Sequence, residues 1–122
     1  SYMFCDTPFD HDISNWDVKN VKNMSWMFSG TPFNKVISGW DTRALEKTDH
    51  MFYDNKKFNR DISGWDVSSV CDADYMFYGC SSFRKDISRW DMPLLDKANA
   101  FDAGAFINSG MPSVFMPDKL RP

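Results

Sequence analysis

The chain has 122 residues, of which 43% are hydrophobic, 25% charged and 16% aromatic, and its net charge is −3. This is a single-domain length with the aromatic surface a small core needs, and its mildly acidic balance excludes the phosphate-neutralising excess of a nucleic-acid binder. No apolar run approaches the roughly 18 residues of a membrane span.

In chain order, the first element is Met3-Phe4, and it returns as Met27-Phe28, Met51-Phe52 and Met76-Phe77 before degenerating to Ala100-Phe101. A second phenylalanine follows at positions 9, 33, 58, 83 and 106. Next come Ile-Ser at 13–14, 37–38, 62–63 and 87–88, and Trp-Asp at 16–17, 40–41, 65–66 and 90–91. Four signals in constant order define a repeat of 24–25 residues, present in about four and a half copies. The interval from M-F to the next Phe is 5, 5, 6, 6 and 5 residues, so the intervening loop absorbs a length change, as surface turns do. A unit this short cannot bury its apolar side alone, so the copies must stack.

The segment F-x-x-D-I-S is short and Ile-centred and predicts a brief parallel strand. Between W-D and M-F, Val18, Val21, Met24, Met27 and Phe28 recur at steps of three and four, which predicts a short helix or 3-10 turn. Asp17, Asp41, Asp66 and Asp91 stand where N-caps belong. The expected fold class is therefore a repeat solenoid over 1–101. Residues 102–122, with Pro112 and Pro117, form a degenerate C-terminal cap. The pattern is entered mid-repeat at Tyr2, so the chain reads as a fragment of a longer one, its N-terminal edge packing on another domain or subunit.

The run Phe58-Asn59-Arg60-Asp61-Ile62-Ser63-Gly64-Trp65-Asp66-Val67, followed by Met76-Phe77, resembles the repeat of the BspA-like surface proteins, the DUF285 family found in mycoplasma lipoproteins. More loosely, Phe77-Tyr78-Gly79-Cys80-Ser81-Ser82-Phe83 is similar to a step of the BspA-type leucine-rich repeat. The resemblance spans about residues 2–101 and implies a leucine-rich-repeat-like solenoid, often on cell surfaces and used for adhesion or protein contact. It implies no catalytic residues.

Chemistry is sparse in the residues themselves. Cys5, Cys71 and Cys80 are odd in number and form no C-x-x-C pair, which argues against a disulfide framework or a zinc site and for small buried hydrophobes. The W-D aspartates lack the oxygen-rich spacing of a calcium loop, and capping accounts for them. The column His11, Lys35, Arg60 and Lys85 beside Asp12, Asp61 and Asp86 reads as a solvated face. Trp16, Trp40, Trp65 and Trp90 read as core, with an exposed binding stripe as the alternative. His11 and His50 lie in different columns, and no nucleophile–base set shares a turn, so no cofactor, metal or catalytic residue is expected.

The candidate site is the residue preceding M-F. Tyr2, Trp26, His50 and Tyr75, continued by Asn99, would align on adjacent turns, with Tyr53 and Tyr78 in the neighbouring column. On a helix, position 26 lies about 200° from Met24 and points away from the core. Exposed contiguous aromatics mark partner surfaces. The expected function is a non-catalytic protein-binding or adhesion module whose partner is a protein or a host or cell-surface component. The alternatives are a structural component of a virion or cell-envelope layer, or a fragment of an enzyme whose site lies elsewhere. The resemblance favours a cell or particle surface, while unpaired cysteines leave an intracellular location open.

Overall fold

The repeat unit puts its Phe, Ile and Trp where only a neighbouring copy can cover them, and the computed structural model, which describes residues 2–97, 99, 102 and 104–121, places the copies one upon the next. Along the M-F segment, backbone N–H groups of each turn donate to carbonyls of the following one. Phe4 donates to Met27, Phe28 to Met51, Phe52 to Met76 and Phe77 to Ala105, at 2.8–3.2 Å. Trp26 to Asp49 and His50 to Asp74 run in the same row. Parallel bridges join Asn23 to Lys47 and Lys47 to Asp72.

Side chains complete the stack. Asp10, Asn34 and Asn59 each accept, through Oδ1, the backbone N–H of the residue above them in the next copy: Asn34, Asn59 and Arg84, at 2.9–3.1 Å. The indole N–H of Trp40, Trp65 and Trp90 donates back to the carbonyl of Ile13, Ile37 and Ile62 in the preceding turn, at 3.0–3.1 Å. These three tryptophans are buried, as a core column requires, and so are Ile37, Ile62 and Ile87. Two phenylalanine columns fill the interior. Ring centroids repeat at 5.6 Å for Phe28–Phe52 and 5.5 Å for Phe52–Phe77, and at 6.2 Å for Phe33–Phe58 and 5.6 Å for Phe58–Phe83. Stacked aromatic pairs add about 0.5–1.5 kcal/mol beyond their burial.

Among the described residues these turns hold no regular strand or α-helix, and between W-D and M-F the bonded unit is the i→i+3 turn. The D-I-S segment bends instead, because the Asp carboxylate takes the N–H two residues on: Asp12 from Ser14, Asp61 from Ser63 and Asp86 from Ser88, each at 2.9 Å. The W-D aspartates act alike. Asp17, Asp41 and Asp66 accept from Lys19, Arg43 and Ser68, so they cap a turn, as expected of their carboxylates, but no helix follows. Asp91 has no such donor, since Pro93 lacks the N–H. Past the cap, each segment is a chain of i→i+3 turns, with Val21 bonded to Val18 and Met27 to Met24. The N–H groups that a helix would use internally point instead at the next copy.

Two columns take the left-handed backbone that such turns require. One is Tyr2, Trp26, His50 and Tyr75, at φ of 52–64°. The other is Asp6, Gly30, Asp54 and Gly79. Glycine is needed in alternate copies of the second because the carboxylates lie directly over it. A Cβ on Gly30 would sit 2.1 Å from Asp6 Oδ1, and one on Gly79 2.2 Å from Asp54 Oδ1.

The fifth copy is displaced from its expected place. Ala100 and Phe101 lie outside the described residues, but the row continues from Phe77 to Ala105 and from Gly79 to Ile107, and Phe106 stacks on Phe77 at 5.1 Å. Ala105-Phe106 thus occupies the M-F position, inside the segment expected to be a cap. The chain then closes over the fourth copy through short 3-10 turns at Gly104–Phe106, Ser113–Phe115 and Asp118–Leu120. Ile87 donates to the Phe115 carbonyl, and the Lys119 ammonium to that of Leu95.

Candidate functional site

The turn that places Trp26, His50 and Tyr75 in left-handed backbone also lifts their rings onto one side of the stack. They meet there as a continuous aromatic surface. Trp26 lies on His50 at 4.0 Å with rings 4° from parallel, Tyr2 extends the row to Trp26 at 5.6 Å, and Tyr75 continues it from His50 at 5.3 Å. Tyr53 and Tyr78 stack at 4.8 Å in the column beside, inclined to the first row by 46° at Trp26 and 45° at His50. Trp26, His50, Tyr53, Tyr75 and Tyr78 line one shallow concavity.

All six expected residues are brought together, with one change of character. Tyr2 is exposed, but the other five are half-buried, because the rings cover one another, face to face at Trp26–His50 and Tyr53–Tyr78 and tilted or edge-on at Tyr75. Turn geometry, not a helical phase, directs them. Asn99 does not continue the row. Gly104 holds that place, and its missing side chain admits the Tyr75 ring, which would lie 3.3 Å from a Cβ there.

Beneath the rings runs a polar row. Ser25 Oγ donates to Asp49 Oδ1, and Asp49 Oδ2 lies 3.3 Å from His50 Nδ1. Serine, aspartate and histidine are therefore adjacent, but the carboxylate separates the hydroxyl from the imidazole. A serine nucleophile needs the imidazole itself within reach, so this order orients His50 and does not activate Ser25.

Residues 1–111 match a family described as Mycoplasma protein of unknown function, DUF285. The chain belongs to this DUF285 family. No curated protein matches it, and no solved structure does.

This DUF285 chain carries one feature that its sequence did not announce. Asp72, Asp74 and Asp102 bring carboxylate oxygens within 4.8 Å of one another, the one grouping among the described residues close enough to hold a cation. Asp102 is buried and accepts the Ala73 N–H at 3.0 Å, whereas Asp74 Oδ1 is buried with no hydrogen-bond partner among the described residues. Sequence spacing could not find the set, because Asp102 reaches it only through the displaced fifth copy. Burial, then the facing Asp102 carboxyl, raise the Asp74 pKa from 3.8 to about 6. The folded chain holds this proton at pH values where the unfolded chain has released it. The associated stability is fully present below about pH 4 and is lost as pH rises towards 6. Asp74→Asn is therefore expected to raise the melting midpoint at pH 7 and to leave it little changed at pH 4. Equal shifts at both values would show that Asp74 does not hold the proton. The Asx-turn carboxylates Asp12, Asp41, Asp61, Asp66 and Asp86 have lowered pKa values, and their contribution is lost at more acidic pH.

The remaining candidates are quiet. The three cysteines are free: Cys80 is buried as expected of a small hydrophobe, Cys5 half-buried and Cys71 exposed. Lys35 reaches Asp10 at 3.8 Å, and Arg60 Nε donates to the Asn34 carbonyl, so the basic column ties neighbouring copies together at the surface. Gly39 and Gly64 face open space. Among the described residues no helix is long and apolar enough to cross a membrane.

Proposed function

We propose that the stacked copies are a leucine-rich-repeat-like solenoid serving as a non-catalytic binding module. Its contact surface is the aromatic stripe Tyr2, Trp26, His50, Tyr75, Tyr53 and Tyr78, and its partner is a protein or a host or cell-surface component. One observation carries this reading. Four successive copies hold an aromatic ring on left-handed backbone, a conformation that costs a non-glycine residue about 1–2 kcal/mol. Glycine there would relieve that cost, so the rings are not explained by the backbone that bears them. Stacked Trp, Tyr and His offer large rigid area at low entropic cost, with indole, imidazole and phenol edges for directional contacts.

The double variant Trp26→Gly with Tyr75→Gly tests it. The lost stacking, about 0.5–1.5 kcal/mol for each ring contact, is only partly offset by relief of the left-handed strain, so the variant is expected to melt lower yet remain folded, which far-UV dichroism checks before binding is read. Saturable binding to an immobilised panel of purified matrix and cell-surface proteins is expected for the parent and at least tenfold weaker for the variant. Equal binding by the two, or no saturable binding by the parent, would remove the stripe from the role assigned to it.

A further inference from the structure

The aromatic stripe is not flat. The Tyr53 ring is inclined to Trp26 by 46° and to His50 by 45°, and Tyr75 meets Tyr78 edge-on at 80°. The two columns of rings therefore wall the concavity that Trp26, His50, Tyr53, Tyr75 and Tyr78 line. Tyr78 covers one face of the Tyr53 ring, with centroids 4.8 Å apart. In the copy before, the same column holds Ser29, so no ring of that column covers the other face. The hollow thus borders on ring faces as well as ring edges.

The charge nearest the hollow is negative. No lysine or arginine is among the residues that line it. The lysines of these turns are drawn to carboxylates instead: Lys47 lies 4.0 Å from Asp72, and Lys56 3.9 Å from Asp54. Beneath the rings stand Asp49, which meets His50 Nδ1 at 3.3 Å, and Asp74, one of whose oxygens has no hydrogen-bond partner among the described residues. A cation is drawn there both by the ring quadrupoles and by the carboxylates under them. Those carboxylates do not line the hollow, so they cannot replace the tightly held water of a bare lysine ammonium. A methylated ammonium sheds its water easily and is held by aromatic faces alone.

We infer that the hollow binds a quaternary ammonium group with no anion beside it, as the side chain of a trimethylated lysine on a protein partner presents. A choline headgroup carries the same cation next to a phosphate. The hollow has no lysine or arginine to take that phosphate, and the carboxylates beneath oppose its charge. The inference rests on the stripe being the contact surface, and it gives that surface a chemical preference.

The test titrates the intact protein with four small probes: the Nα-acetyl amide of trimethyllysine, its neutral isostere with carbon in place of the ammonium nitrogen, the Nα-acetyl amide of lysine, and phosphocholine. Binding is read from the probe's own proton resonances, since methyl groups lying over ring faces move upfield. The trimethyllysine probe is expected to show that upfield shift and to bind about fivefold or more tightly than both its isostere and lysine. Tyr53→Leu, at a position outside the left-handed columns, is expected to abolish this advantage. Equal binding of the isostere would mean that the hollow takes any apolar group, and an advantage that survives Tyr53→Leu would place the cation elsewhere. Phosphocholine binding as tightly as trimethyllysine would assign the site to a lipid headgroup. Each of these results overturns the inference, as does the absence of any methyl shift, and the comparisons on the parent protein hold whether or not the variant folds. Because the probes are small, their failure is separate from that of the stripe as a protein contact, which the immobilised panel reads.

Discussion

Replacing Phe77 by alanine is expected to destabilise the protein by about 3–5 kcal/mol, the range for a fully buried aromatic truncated in a packed core. Phe77 has no exposed surface, and its ring meets Phe52 at 5.5 Å, Phe83 at 4.7 Å and Phe106 at 5.1 Å. The loss therefore falls on the contact between the third, fourth and fifth copies at once. Because repeat stacks can lose cooperativity, the measurement is the midpoint of chemical denaturation followed both by tryptophan emission and by far-UV dichroism. A midpoint within experimental error of the parent would mean that the column is not the core of the stack.

The second large effect is expected at Asn55, a polar residue with no exposed surface. Its Oδ1 accepts the N–H groups of Lys57 and Phe58, both at 3.0 Å, and its Nδ2 donates to the Phe33 carbonyl of the preceding turn at 3.1 Å. The side chain thus holds the longer M-F loop of the third copy and ties it to the second. Asn55→Leu keeps the branched shape and removes all three bonds, leaving the buried Phe58 N–H and Phe33 carbonyl unsatisfied at about 1–3 kcal/mol each. We expect a loss of about 2–4 kcal/mol, since relaxation and water recover part of it. A neutral Asn55→Leu, read from the same denaturation midpoint, would show that the loop finds other partners.

These two residues also separate what is legible in a one-dimensional pattern from what is not. Phe77 belongs to a column that recurs every 24–25 residues, and recurrence in a stacked repeat fixes both burial and neighbours. The same holds for Trp65, and the row Trp26, His50 and Tyr75 aligns because each residue immediately precedes the M-F pair of its copy. Asn55 has no recurrent counterpart. Thr31 and Cys80 stand at its place in the adjacent turns, where Thr31 Oγ1 and Cys80 Sγ meet the carbonyls of Phe28 and Phe52. Three side chains of different chemistry satisfy backbone groups at one position, and no residue pattern marks it.

The sequence by itself determined the repeat length, the core columns and the family, because stacking copies of one unit leaves little freedom in which residues meet. Tertiary structure alone decided the backbone between them. Val18, Val21, Met24 and Met27 turn inward every three residues in a chain of i→i+3 turns as they would on a helix, so periodicity does not tell the two apart. The choice fell to the neighbouring copy, whose carbonyls at Lys47, Asp49 and Met51 take the N–H groups that a helix would keep for itself. The left-handed conformation of Trp26, His50 and Tyr75 follows from that choice and runs against local preference. The meeting of Asp102 with Asp72 and Asp74 likewise arises only because the fifth copy bonds to the fourth through Ala105.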